Sequence, residues 1–392
     1  MTPLFLPLAG PALALLTSSL AGGIVTVALP VLERAFDAPF GRVQAVLVAY
    51  LASITLLVAV AGTLADRLGR RRLMLAGLAV FSMASALCAL APTLPLLIAA
   101  RALQGLGAAL MMALATALVA DTVPAERRGH AMGWLGSASA VGTALGPALG
   151  GALTGAFGWR SIFAVLVPFG LAAAWLVTWQ LPADRPRPTG ASQPSGAWHR
   201  TVVPLWRSLA TNLLVSMTMM GTLLVGPFYL GGALGLSAAE VGLAMSAGPV
   251  SSALGGLPAG RLVDRIGPHR AVLIGVLSLA CGALGLAVQP GVAGYLVALV
   301  AMTQGYALFQ AANNTAVMAA AGAAHRGTAA GWLGLSRQAG LLVGAGALGA
   351  VFAWGGGSAA PAAGLRATFT VAAGAMVLAL GLSIGRSRRP AT

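Results

Sequence analysis

"GTLADRLGRRR", residues 62–72, holds five charged side chains in a chain whose 392 residues include only 23 basic and 8 acidic ones. The stretch returns 198 positions later as "GRLVDRIGPHR" (260–270), with six of eleven letters unchanged. A chain so poor in charge, concentrating it twice at one fixed spacing, reads as a duplicated one whose charged loops separate long apolar runs.

Composition names the solvent for those runs. Charged residues make up 8% and apolar residues 58%, against about 25% and 45–50% in ordinary globular domains. A bilayer accommodates that balance when apolar runs approach about 20 residues. Twelve such spans are expected: 8–31, 43–64, 73–91, 95–120, 130–157, 161–181, 208–231, 238–259, 271–289, 291–320, 328–354 and 366–385. They are too long and too uniformly apolar for the alternating strands of an outer-membrane barrel. The first lacks a basic n-region and runs too long for a signal peptide, so a retained helix is expected. Fifty-three glycines suit close helix approach, and Pro147, Pro168, Pro227 and Pro249 are expected to kink their spans. The fold class is all-α integral membrane, with twelve transmembrane helices in two pseudo-symmetric six-helix bundles.

Charge orients the chain. All 23 basic residues are arginines, and the formal net charge is +15. With the 62–72 loop in the cytoplasm, 17 arginines fall in cytoplasmic segments and four outside, namely Arg34, Arg42, Arg160 and Arg366. The positive-inside rule then puts both termini in the cytoplasm of an inner (plasma) membrane. A pI near 11.7 does not argue for nucleic acid, because membrane spans interrupt the basic loops. Cys88 and Cys281 lie in separate apolar runs and are expected to be buried and unpaired, with no disulfide or zinc framework.

The duplication extends beyond the loop. "RGHAMGWLG" (128–136) returns as "RGTAAGWLG" (326–334), again 198 residues on and with seven of nine letters kept. Residues 1–181 and 208–392 are therefore expected as two six-helix bundles, the second with a short basic tail. A pseudo-two-fold axis along the membrane normal would relate them around a central site. The intervening 182–207 segment, rich in proline, serine and glycine, is expected as a cytoplasmic linker.

These motifs together resemble the major facilitator superfamily, and in particular its drug:proton antiporter branch. Gly62-x3-Asp66-Arg67-x-Gly69-Arg70-Arg71-Arg72 matches that superfamily's signature loop between the second and third spans. Arg101-x2-Gln104-Gly105 matches its fourth-span motif, and Gly142-x3-Gly146-Pro147-x2-Gly150-Gly151 the fifth-span motif associated with antiporters. "GWRSIF" (158–163) is similar to a sequence common in multidrug exporters. The resemblance implies a monomeric secondary transporter without a cofactor or metal. It would move a small organic solute by alternating access, most consistently as an exporter of drug-like or metabolite compounds driven by protons. The alternatives are a carrier for an anionic metabolite, proton-coupled or facilitative, and a non-transporting receptor or scaffold derived from a transporter. A membrane enzyme is disfavoured, since no nucleophile, acid pair or metal cluster converges within the spans.

Physical roles follow for the gating candidates. Gly69 permits a tight turn, and Asp66 can approach a helix N-terminus, where a carboxylate is favoured. Arg67 and Arg70 can pair across a seam, while Arg71 and Arg72 are read as topology signals only. Asp264 and Arg265 occupy the second copy, where Pro268 and His269 replace arginines. On the fifth span Gly142, Gly146 and Gly150 recur every four residues, with Gly151 adjoining, so a neighbouring backbone can come close. Pro147 removes a donor and kinks that span.

Away from the span ends, only Arg101 and Arg337 are ionised within the spans. An arginine at mid-bilayer costs roughly 2.5–3.5 kcal/mol, so each is expected to face a cavity or a partner. Arg337 lies nearest the midplane and is the first candidate for binding substrate. Arg101 and Gln104 are expected on an opposing wall, with Asn212, Tyr229, Gln304, Tyr306 and Asn313 as further lining residues. Family members often carry an acid in the first span, but "AGGIVTVALP" (21–30) has Ala21 there. Any proton coupling would therefore fall to the membrane-edge acids Glu33, Asp37 or Glu240. An arginine-lined site without an acid suits an anionic or neutral solute better than a cation.

Overall fold

The computed structural model describes residues 8–123, 127–181, 184, 197–288 and 291–384. Among these there are helices and no strand. In chain order they are α1 (Ala9–Ile24), α2 (Leu29–Ala35), α3 (Phe40–Leu68), α4 (Arg70–Leu90), α5 (Leu94–Thr122), α6 (Arg128–Phe157), α7 (Ser161–Ala164), α8 (Leu166–Gln180), α9 (Ala197–Phe228), α10 (Ala238–Ile266), α11 (Pro268–Ala287), α12 (Val292–Trp354) and α13 (Pro361–Ile384). A 3-10 turn at Thr26–Ala28 joins α1 to α2 within one apolar stretch, Ala9–Ala35.

Eleven of the described stretches are long and apolar enough to cross a membrane, against twelve expected. The difference is α10, which covers the span expected at 238–259. Its 29 residues include Glu240, Pro249 and Pro258 beside several glycines and serines, and these dilute its apolar content. The helix itself is present.

A second difference is α12, a single helical run of 63 residues where two spans were expected. It cannot be straight. Asn313 Nδ2 donates to the Ser208 carbonyl (3.5 Å) and Asn212 Nδ2 to the Leu333 carbonyl (3.0 Å). Residues 208 and 212 lie one turn apart on α9, whereas 313 and 333 would be ~30 Å apart on a straight helix. The run therefore folds back between its two apolar stretches, Val292–Ala321 and His325–Trp354. Leu205, Leu209, Val317, Ala329 and Leu333 close into one apolar cluster at that bend.

The chain divides into two compact units, Met1–Ala191 with Ser237–Ser246, and Ser192–Leu236 with Ala247–Thr392. The start of α10 groups with the first unit because Gly242 and Gly151 meet backbone to backbone. Most of the expected linker lies outside the described residues. Its last part, from Ala197, already belongs to α9, since hydropathy marks where a span ends rather than where a helix does.

Each unit repeats two local solutions. Gly69 (φ 90°, ψ 137°) and Gly267 (φ 82°, ψ 154°) make the same turn before α4 and α11, a conformation open essentially to glycine. In the first unit, α6 seats on α1 with Gly142 against the Leu16 carbonyl, Gly146 against Gly23 and Gly150 against the Ile24 carbonyl. In the second, Gly340 and Gly344 of α12 seat on the Leu213 and Met217 carbonyls of α9. Small residues four apart bring these helix pairs into dispersion contact, which is what associates helices in lipid.

Candidate functional site

The signature loop builds a two-way clasp. Asp184, just past α8, accepts hydrogen bonds from the backbone N–H groups of Arg71 and Arg72, both at 2.9 Å. Those donors lie in the first turn of α4, where no intrahelical partner exists and a negative charge is favoured. In return Arg71 Nη2 donates to the Thr178 carbonyl (2.7 Å), one of the unpaired carbonyls ending α8. Arg71 thus joins two helix ends, which corrects the reading of it as a topology signal only. Gly69 is needed twice, for its positive φ and because a Cβ there would strike the Asp184 carboxylate. Asp184→Ala should lower the unfolding stability by about 1–2 kcal/mol, the worth of a strong cap, and Asp184→Asn by less. Thermal melts of the purified variants in detergent will read the difference.

The other gating candidates are less tightly held. Arg70 Nη1 donates to the Ala117 carbonyl of α5 (3.2 Å), within its own unit. Arg67 is exposed and has no partner among the described residues, and Gly62 faces open space. Asp66 has its side chain outside the described residues. In the second copy, Asp264 and Arg265 are both exposed. Pro147 lies inside α6, which continues through it, with its ring against Gly23 and its carbonyl toward Gly242.

Arg101 and Gln104 do not line an open surface. Both are 0% exposed. The Arg101 guanidinium sits 4.0 Å over the Tyr50 ring and donates to the Val46 carbonyl (3.3 Å), the Ala21 carbonyl (3.5 Å) and Gln104 Oε1. Gln104 Nε2 continues to Ser85 Oγ (2.7 Å), and Tyr50 Oη to the Ser18 carbonyl (3.0 Å). The pair is therefore an interior brace tying α5 to α1, α3 and α4, which corrects the expected cavity wall. Gly105 allows it, because a Cβ there would meet the Tyr50 carbonyl at 2.5 Å. The guanidinium keeps Nη2 without a hydrogen-bond partner among the described residues. Aromatic faces and carbonyl dipoles do the offsetting here.

In the second unit the candidates separate. Asn212 is buried, and its amide donates to Ser336 Oγ (2.7 Å) as well as to Leu333. Asn313 is buried against Ser208. Tyr229 is buried, stacked on Tyr295 with centroids 6.1 Å apart, at the start of a short π-helical turn. Gln304 donates to the Ser251 carbonyl (2.5 Å), and Tyr306 accepts from Gln310 (2.8 Å). Arg337 alone among the eight is exposed, with no partner among the described residues. At its counterpart in the first unit, Ser139 is closed off by a 2.7 Å hydrogen bond with Ser19.

The expected coupling acids are Glu33, Asp37 and Glu240. Glu33 is half-buried, and Asp37 is exposed with φ 45°, a conformation that aspartate tolerates. Glu240 accepts from Ser237 N–H (2.8 Å) and Oγ (2.7 Å), a capping box that starts α10. No group of three or more His, Cys, Asp or Glu able to hold a metal occurs among the described residues. Both cysteines are free, but Cys281 is exposed rather than buried as expected. Helical depth can be read from an apolar run, whereas the side of the helix cannot. At "GWRSIF", Gly158 (φ 78°) turns the chain, Arg160 covers the Trp159 ring at 4.3 Å and donates to the Ala91 carbonyl (3.1 Å).

Comparison with known proteins agrees with this framework. The "Multidrug resistance protein B homolog" of Mycobacterium tuberculosis is 28% identical over 328 residues, 68% of this chain and 61% of that protein. The chain thus spans about three fifths of that relative's length. "Multidrug resistance protein Stp" of the same species is 29% identical over 388 residues, 84% of this chain and 72% of the relative. The crystal structure of a bacterial homolog of the human lysosomal transporter Spinster, inward-facing and occupied, shares the fold with a TM-score of 0.78. It is 18% identical, and the match covers 97% of this chain and 96% of that one. The family model of the Major Facilitator Superfamily matches residues 12–345, and the chain belongs to that superfamily.

Proposed function

We propose that this chain is a secondary active transporter that exports a small organic solute by alternating access. Family membership supports transport, and two relatives named for multidrug resistance support export of drug-like compounds. The observation that carries the solute class is Arg337. An exposed guanidinium without a partner among the described residues, in a span with no acid, offers a fork of donors to carboxylate, phosphate or a strongly hydrogen-bonding neutral group. For that reason a carrier of anionic metabolites is the second reading. Proton coupling, where present, falls to Glu33, Asp37 or Glu240, and the Asp66 loop serves as a gate. Residues 1–181 and 208–392 are the two halves, working as a monomer in the plasma membrane with both termini and the 182–207 linker in the cytoplasm.

Purified protein in liposomes, tested with anionic, neutral and cationic solutes under an imposed pH gradient, should show gradient-driven movement of at least one anionic or neutral compound. Movement of cations alone would overturn the solute class. Binding without movement of any solute, by protein shown to be folded, would leave the scaffold reading in its place.

A further inference from the structure

The geometry points to a binding site for an anionic phospholipid headgroup at the end of α8, formed by Arg71, Arg72, Trp175 and Trp179. It goes beyond the transport reading and rests only on the helix's position in a bilayer.

Leu171, Trp175 and Trp179 follow one another at four-residue spacing on α8 and are 58%, 63% and 65% exposed. The two indoles stack, with centroids 5.8 Å apart and planes at 9°. An exposed apolar face on a helix long and apolar enough to span is suited to lipid. Most exposed large apolar residues among the described ones are aliphatic, so a stacked indole pair is a departure. Trp179 is the penultimate residue of α8, which sets it at headgroup level, where a ring with an apolar body and an N–H donor is favoured.

The charge lies at the same helix end. Arg71 is held there by its bond to the carbonyl of Thr178, the residue preceding Trp179. That bond uses one of five guanidinium donors, and Nε is buried without a partner. Arg72 is exposed, and its side chain has no partner among the described residues. The nearby acid, Asp184, has its two oxygens engaged by the backbone N–H groups of Arg71 and Arg72. Its charge therefore serves the start of α4 and leaves available the Arg72 guanidinium and the Arg71 Nη donors beyond the Thr178 bond, the buried Arg71 Nε not being among them. A lipid phosphate can take the arginine fork while its acyl chains lie along the indoles and Leu171. A zwitterionic headgroup would bring its own cation to the arginines, so an anionic one is preferred.

Retention of phosphatidylglycerol against phosphatidylcholine can be counted by native mass spectrometry after limited delipidation of protein from mixed vesicles. The parent should retain the anionic lipid preferentially. Arg72→Gln, which leaves the helix clasp intact, should cut the preference about fivefold. Trp175→Leu with Trp179→Leu should lower quenching of tryptophan fluorescence by brominated phosphatidylglycerol beyond the loss expected from removing two emitters. Trp354→Leu, at an indole 86% exposed at the end of α12, is the control for that loss. Equal retention of both lipids by the parent, or an unchanged preference in Arg72→Gln, would overturn the site. So would a dimer that dissociates in the double tryptophan variant, because a second copy would then occupy the face.

Discussion

Gly142→Leu should abolish recovery of folded protein, while Gly133→Leu in the same helix should leave it intact. A Cβ at Gly142 would lie against the Leu16 carbonyl oxygen, with the Leu16 carbonyl carbon at 3.0 Å and Cα at 3.1 Å. Every one of these is a backbone atom, so no rotamer change relieves the clash. The helices α6 and α1 must separate, and with them goes the dispersion contact that associates them in lipid. Ordinary overpacking costs about 1–3 kcal/mol because side chains can yield. Here the whole seam is at stake, against a total stability of about 5–15 kcal/mol. Gly340→Leu should behave alike, since its Cβ would meet the Leu213 carbonyl and Ser216 Cβ at 2.8 Å. Gly133 has nothing within 4 Å of a built Cβ and serves as the control. Monodisperse yield from detergent extracts, followed by thermal melts, will report the outcome. Equal yields and melting points for Gly142→Leu and Gly133→Leu would refute the seam.

What the sequence made legible was whatever depends on period and on backbone chemistry. The tight turn expected at Gly69 is present, and the 198-residue repeat carries the same turn to Gly267, because essentially only glycine accommodates that backbone. Glycines four apart at 142, 146 and 150 announced a close helix neighbour, and α1 is that neighbour. Azimuth was not legible. A helix apolar on every side carries no moment to tell one face from another, so Arg101 could be placed at a depth but not turned inward onto Tyr50. Long-range caps were equally hidden. Asp184 lies more than a hundred residues from the N–H groups it binds, and nothing local in "LPADRPRP" signals that pairing. The continuity of α12 was missed for a related reason, since an apolar count registers the bilayer and not the helical backbone that runs through the bend.

That blindness to azimuth makes Arg337 the residue on which experiment bears hardest. It lies 12 positions beyond His325 in the stretch His325–Trp354, a rise of ~18 Å. A guanidinium at such depth costs roughly 2.5–3.5 kcal/mol to insert unless something offsets it. Arg101 shows how this chain offsets a structural arginine, with carbonyls, an amide and an aromatic face. Arg337 has none of these among the described residues. Its counterpart Ser139 is already satisfied by Ser19, so the arginine is a feature of one half alone. If it binds the solute, Arg337→Ala should insert as well as the parent or better, and melt at the same temperature or higher. Binding should nevertheless weaken about tenfold to a hundredfold, the worth of about 1.5–3 kcal/mol of hydrogen bonding to a charged group. Arg337→Lys keeps the charge but loses the planar fork, and should fall between the two. Direct binding to purified variants, using a solute that the parent moves in liposomes, decides the matter. Unchanged affinity in Arg337→Ala would make this arginine a structural or gating residue, and a drop in melting temperature alongside it would point to the former.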